Sequence, residues 1–386
     1  MVILAIETSC DDTCVAILKS KIQKPKTEFP FMETKVKKRT KSSSPSKSFE
    51  ILSNVVSSQV EIHKKWGGVY PSLAKREHQR NLPIVLKTVL KEAKLALSDS
   101  RRVDLIAVTV GPGLEPCLWV GVNFAIELAK KLKVPLIPAN HIEAHILANF
   151  VGGNSKFQIT NYKKFLPAVC LVVSGGHTQL ILMQGIGKYR ILGETRDDAA
   201  GECFDKTARI LGLGYPGGPA IAQQAAQWKS QIPNSKFQIC LPRPMIYQKN
   251  YDFSFSGLKT AVLYDFKSRP PKIRKSKEYI GAIAAEAQQA VIDVLIKKTL
   301  RAAKDFKAKA IILGGGVAAN EELRKQFKAK IKKDYNLPTA PYFYIPDSKF
   351  CTDNAVMTAI TGYYHRKKAQ RENLERIEAK ANLRLE

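Results

Sequence analysis

Apolar residues fall into two patterns along this chain. Short, nearly unbroken apolar runs closed by polar or glycine-rich turns read as strands buried on both faces. They are Val2 to Glu7, Cys14 to Leu18, Phe49 to Ser57, Asp104 to Val110, Val134 to Pro138, Ala168 to Val173, Gln179 to Met183, Tyr189 to Gly193, Ala310 to Leu313 and Pro341 to Ile345. Longer stretches between them predict helices over about Ser72–Leu97, from Gly111-Pro112-Gly113 to Lys133, Asn140–Phe150 and Tyr279–Lys304, with a last helix opening at Phe350-Cys351-Thr352-Asp353-Asn354-Ala355 and capped by Thr352 or Asp353. Both halves begin with strand, polar turn, strand, strand. This predicts an α/β fold built twice, with a cleft between its halves where ligands sit. The expected division is an N-terminal lobe over 1–138, a C-terminal lobe over 139–362 carrying the metal and substrate site, and a charged tail over 363–386 that reads as a solvated helix.

Composition sharpens this picture at three points. The chain has 386 residues, 45% of them apolar, enough for two domains. Its net charge of +28 implies a polyanionic partner, nucleic acid first. Its seven cysteines have no C-x-x-C spacing, which suggests a reducing cytoplasm, and neither a signal peptide nor a membrane span is expected. A stretch from Lys19 to Lys47 holds ten Lys/Arg against two acids and ends in KSSSPSKS, so it reads as a basic insertion at a hairpin tip.

The sharpest chemical signal is Asn140-His141-Ile142-Glu143-Ala144-His145-Ile146. On a helix, His141 and His145 stand one above the other and can grip one ion. In zincin metallopeptidases the catalytic acid directly follows the first histidine. Here Glu143 stands two residues on, about 200° round the helix, so the expectation is a metal clamp without that base. Asp353, at the start of the last helix, is the expected third ligand. The stretch Glu194 to Ala220 is acid-rich, with Asp198, Glu202 and Asp205 predicted together on one helix face. Gly111-Pro112-Gly113 follows a strand and is expected to bring backbone amides near a ligand, and Ser174-Gly175-Gly176 and Gly314-Gly315-Gly316 likewise follow strands, where backbone amides can hold phosphate or nucleoside groups.

Together ETSCDDT, the HxExH stretch, VSGGHTQL, DDAAGECFDKTARILGLGYPGGP, DFSFSGLKT, GGGVAAN and CTDNAVM resemble the TsaD (Gcp) family of bacterial tRNA adenosine threonylcarbamoyltransferases over nearly the whole chain. The resemblance implies a duplicated actin-like ATPase fold (ASKHA, ribonuclease H-like) with an interdomain cleft. It implies an acyltransferase that moves threonylcarbamoyl from threonylcarbamoyl-AMP to the N6 amine of the adenosine 3′ of the anticodon in tRNAs reading codons that start with A. It assigns His141, His145 and Asp353 to a divalent metal, Fe2+ with Zn2+ as the alternative. Val172, Val173, Ser174, Gly175, Gly176, Asp205, Gly218 and Asn320 match substrate contacts. A TsaB-like paralogue and a TsaE-like ATPase would be partners. Two departures stand out: Asp12 occupies a position usually held by Glu, and Ala144 one usually held by Gly. The adenine amine is a poor nucleophile, so a carboxylate is expected to take its proton, with Asp12 and Asp198 as candidates. The competing readings are an ATPase or kinase of the same fold, a metallopeptidase, and a non-catalytic tRNA-binding paralogue.

Overall fold

A computed structural model describes residues 1–20, 49–96, 103–151, 159–231, 237–335 and 340–385. The basic insertion Lys19–Lys47 lies, apart from its first two residues, outside the described residues.

The N-terminal half runs β1 (Val2–Glu7), β2 (Asp12–Ser20), β3 (Phe49–Ser58), a one-turn α1 (Val60–His63), α2 (Pro71–Glu92), β4 (Leu105–Gly111), α3 (Glu115–Leu132), β5 (Leu136–Asn140) and α4 (His141–Leu147). The second half runs β6 (Ala168–Val173), β7 (Thr178–Gly185), β8 (Lys188–Glu194), α5 (Ala200–Leu211), α6 (Gly217–Gln231), α7 (Ser256–Ser268), a short α8 (Pro271–Arg274), α9 (Lys277–Asp305), β9 (Ala310–Gly314), α10 (Glu321–Asp334), β10 (Tyr342–Tyr344) and α11 (Ala355–His365).

The two sheets have the same wiring. The first is ordered β3-β2-β1-β4-β5 and the second β8-β7-β6-β9-β10. In each, the first three strands form an antiparallel meander and the last two join in parallel. β1 therefore corresponds to β6, and α4, after the fifth strand of one sheet, corresponds to α11, after the fifth strand of the other. This is the duplicated actin-like architecture.

The unbroken apolar runs follow from burial on both faces. In β1, Ile3 and Ala5 point to the middle of the molecule, while Leu4 and Ile6 pack outward under α2 and α3. In β6, Ala168, Cys170 and Val172 point inward, and Val169, Leu171 and Val173 pack against α5 and α9. Between the sheets lie α4 and α11. Ile142 and Ile146 of the one and Val356, Ala359 and Ile360 of the other share a core with both sheets. Helix α11 packs across β1, β2 and β4 of the first sheet although its sequence belongs to the second half. Gly362 makes that approach possible, since a side chain there would run into the Cβ of Ala107 at 2.6 Å. Helix α9 is long and apolar enough to cross a membrane by composition, but most of it is buried in the second-half core.

Three local expectations are corrected. The cap of α11 is Asn354, whose side chain accepts from the Met357 amide at 3.2 Å, and not Thr352 or Asp353. The Gly111-Pro112-Gly113 turn does not present its amides to a ligand: Gly113 N–H donates to the Ala381 carbonyl at 3.1 Å. The tail is not a solvated helix. It is an irregular strap along the N-terminal lobe, anchored by buried Leu374, Ile377 and Leu385. Gln370 and Leu136 exchange backbone hydrogen bonds at 2.8 Å, and Lys380 N–H donates to Val110 at 2.7 Å. The strap ends at the other half, where Arg384 pairs with Glu194 at 2.5 Å.

Candidate metal and substrate site

The site is built where the two corresponding helices meet. Asn140 caps α4, accepting from the amides of Ile142 at 2.8 Å and Glu143 at 3.1 Å. The capped turn puts His141 and His145 on one face, their rings 4.6 Å apart. Asp353 approaches from just ahead of α11, its Oδ1 3.7 Å from His141 Nε2 and 3.3 Å from His145 Nε2. One ligand atom from each of the three residues lies within 4.8 Å of the others.

Each member is prepared differently. His141 Nδ1 lies 3.2 Å from Glu7 Oε2 and 3.1 Å from Ser9 Oγ, which orients its Nε2 toward Asp353. Burial disfavours the imidazolium, but the Glu7 and Asp353 charges outweigh it and carry His141 up to about 9. His145 is buried and lowered, by burial first, so it is neutral at pH 7. Neither of its nitrogens has a hydrogen-bond partner, and its 3.3 Å approach to Asp353 lacks hydrogen-bond alignment. Burial alone would raise Asp353, but the surrounding His141, His145 and His177 bring it down to about 2, so it is a carboxylate. Two imidazoles, one with both nitrogens unpartnered, converging with a carboxylate suit a divalent ion. The residues fit such a group.

Glu7 and His177 are functional candidates that the sequence reading missed. Glu7 is fully buried and accepts from Thr109 Oγ1 at 2.6 Å and the Ser9 amide at 2.7 Å besides facing His141. Burial opposes its ionisation, yet the His141 charge and these bonds hold it below the usual carboxylate range. It is the acid that orients a histidine of the candidate metal cluster. A charged residue closing an otherwise apolar strand was its only signal. Glu7→Gln is expected to weaken divalent-ion affinity about 10–100-fold, measured by metal titration; equal affinity would reduce Glu7 to a packing role. His177, in the turn after β6, has its ring 6.5 Å from that of His141 and is lowered to about 4 by burial and by the two neighbouring histidines.

Glu143 points away, as its register predicts. It accepts from Tyr189 O–H at 2.8 Å and the Gly187 amide at 3.2 Å and meets His365 at 2.9 Å, so it is committed to structure. A metallopeptidase base is therefore missing at that position.

Asp12 stands at the opening of β2. Burial first, then repulsion from Asp353, Asp11 and Glu7, raises it to about 7 against a hydrogen bond from Ser58. Its Oδ1 is buried without a partner. Asp198 has a different setting, clasped by Lys206 at 2.7 Å and Lys259 at 3.3 Å. Glu202 pairs with Lys206 at 2.9 Å. Asp205 accepts from the Gly217 amide at 2.7 Å and thereby orders the Gly217-Gly218 turn. The acid-rich stretch is thus largely self-paired.

The glycine turns differ: a side chain at Gly314 would meet the His145 carbonyl at 2.7 Å and one at Gly315 the Val173 carbonyl at 2.3 Å, whereas three other glycines leave open faces. A side chain at Gly175, Gly176 or Gly218 would meet nothing within 4 Å. Ser174 closes its turn by accepting from His177 N–H at 3.1 Å. Val172 and Val173 are buried, so only their backbone reaches the strand end. Asn320 caps α10 through Leu323 N–H at 3.0 Å and donates to Gln288 at 2.8 Å.

A family model described as TsaD, tRNA N6-adenosine threonylcarbamoyltransferase, matches residues 50–360. A protein of that description from Thermosipho melanesiensis is 45% identical over 363 residues, 94% of each chain. Another from Thermosipho africanus is 44% identical over 385 residues, the whole of each. Full-length HypF, solved in a phosphate- and nucleotide-bound form, is 12% identical with a TM-score of 0.51, covering 94% of this chain and 46% of that one, a likeness of fold alone.

Proposed function

Since the chain belongs to the TsaD family of tRNA N6-adenosine threonylcarbamoyltransferases, we propose that it moves a threonylcarbamoyl group from threonylcarbamoyl-AMP to the N6 amine of the adenosine just 3′ of the anticodon, in tRNAs reading codons that begin with A. The observation that supports this most directly is the convergence of His141, His145 and Asp353 beside the partnerless oxygen of Asp12.

The donor is a mixed anhydride and already activated. The new bond joins N6 to the carbamoyl carbon, the carbon–oxygen bond to phosphate breaks, and AMP leaves with that electron pair. Asp12 takes the amine proton; a carboxyl raised to about 7 is matched to that task at neutral pH. Asp198, neutralised by two lysines, is the weaker candidate. The turn at Ser174-Gly175-Gly176 and the face of Gly218, next to the Gly217 amide held by Asp205, offer open backbone to the adenylate, with Val172, Val173 and Asn320 on that side. His141, His145 and Asp353 would hold a divalent ion, iron(II) by family resemblance or zinc(II), which when bound supplies Lewis-acid polarisation. A TsaB-like paralogue and a TsaE-like ATPase belong to the same reading, as does a reducing cytoplasm.

The test is transfer of labelled threonylcarbamoyl from its adenylate to unmodified tRNA, with the two partner proteins added if the chain alone is silent. Absence of transfer with partners present rejects the reading, and ATP turnover without tRNA would point to an ATPase instead. The rate should rise with pH through a midpoint at or below about 7, because Asp12 must be deprotonated to accept a proton and a cation held by Asp353 would offset part of the repulsion that raises it. Asp12→Asn should lower the rate about 10²–10⁴-fold and erase that rise. An unaltered pH profile in the variant would remove Asp12 from the chemistry.

A further inference from the structure

Trp66 and Tyr70 are exposed, at 65% and 54%, and stacked on each other with ring centroids 5.7 Å apart and planes 27° from parallel. Neither ring is used by the chemistry above. Two large aromatics left in solvent, with Lys64, Lys65, Lys75 and Arg76 exposed around them, are costly unless something covers them.

Their placement is fixed by a buried polar chain that leads to the acids of the cleft. The Tyr70 amide donates to His63 Nδ1 at 3.3 Å, and His63 Nε2 meets Gln59 Oε1 at 3.1 Å. The Gln59 amide in turn donates to the Asp11 carbonyl at 3.1 Å. His63 and Gln59 are fully buried. From the opposite wall, Arg209 donates to the Gly67 carbonyl, at the end of the helix that carries Asp205. The aromatic pair is therefore a rigid ledge at the rim of the cleft, held at a set offset from Asp12.

We infer that this ledge stacks an unpaired base of the tRNA anticodon loop next to the target adenosine, an inference that rests on the proposed function. Every base offers a flat π face, and aromatic platforms flanked by cations are how single-stranded RNA is held without reading its sequence. The net charge of +28 favours this occupant over a protein partner. Trp66 and Tyr70 act as positioning residues, splaying the loop so that the adenine amine reaches Asp12.

The experiment compares wild type with Trp66→Ala, Tyr70→Ala and Trp66→Phe, with partner proteins present. It reads KM and kcat for tRNA transfer, direct binding of a labelled unmodified anticodon stem-loop RNA, and melting temperature. Each Ala variant should weaken RNA binding and raise KM about tenfold, with a smaller change in kcat, and Trp66→Phe should recover most of the loss. Melting should stay put, because both rings lie in solvent. Transfer and RNA binding equal to wild type in the Ala variants would overturn the ledge while leaving the enzyme reading intact. Loss of partner binding with RNA binding unaffected would also overturn it, making the patch a protein contact. A wild type that neither binds the stem-loop nor modifies tRNA would sink the enzyme reading first and the ledge with it.

Discussion

His145→Ala is expected to abolish stoichiometric metal binding and to cut threonylcarbamoyl transfer on the order of a thousandfold, while the protein stays folded. The imidazole is buried and neither nitrogen has a hydrogen-bond partner. An unsatisfied buried polar group costs about 1–3 kcal/mol, a cost that a bound ion offsets. Removing the ring gives up its 3.3 Å approach to Asp353 and leaves a small cavity, so the metal-free variant should melt modestly below the metal-free wild type but still cooperatively. Lewis-acid stabilisation is worth several kcal/mol, and each 1.36 kcal/mol is tenfold in rate. Three readouts separate the outcomes: metal content, the rise in melting temperature on adding a divalent ion, and transfer. A variant that still takes up one ion and transfers at the wild-type rate would remove this cluster from the mechanism.

Truncation after Lys368 is expected to cost at least 3–5 kcal/mol of stability, on the order of two buried aliphatic side chains. The strap it removes covers the outer core of the N-terminal lobe with Leu374 and Ile377, and places Leu385 in the central core. It also satisfies the Gly113 amide and the Val110 carbonyl. A side chain at Gly111 would stand 1.9 Å from the Lys380 carbonyl, so the strap is in close backbone contact with the turn. Chemical unfolding of the truncated chain measures the loss, and Leu374→Ala alone should account for about 2–5 kcal/mol. A truncated protein as stable as the full chain would mean that the strap lies on the surface without holding it.

These cases show what the sequence disclosed and what it hid. The histidine pair was legible because a helix converts a spacing of four into one face, and the register of Glu143 was legible for the same reason. The duplicated strand pattern was legible because strands buried on both faces have no polar interruptions. The strap was not: extended backbone has no period, and its three apolar anchors are diluted among charges. The cap of α11 was misassigned because Thr352, Asp353 and Asn354 are all competent caps, and only the backbone path selects Asn354. Glu7 and His177 were hidden because their roles depend on contacts with His141, more than a hundred residues from Glu7.

The crossing of α4 and α11 between the two sheets has a mechanical consequence. Each lobe borrows a helix from the other half of the sequence, so any opening of the cleft has to pivot about that crossing. His141, His145 and Asp353 sit on the pivot itself, and their separations change least when the lobes swing. Gly67 and Arg209, farther from that crossing, join the two halves by a single hydrogen bond. A swing of one lobe against the other would therefore leave the three candidate ligands together and part the two halves at the Gly67–Arg209 contact.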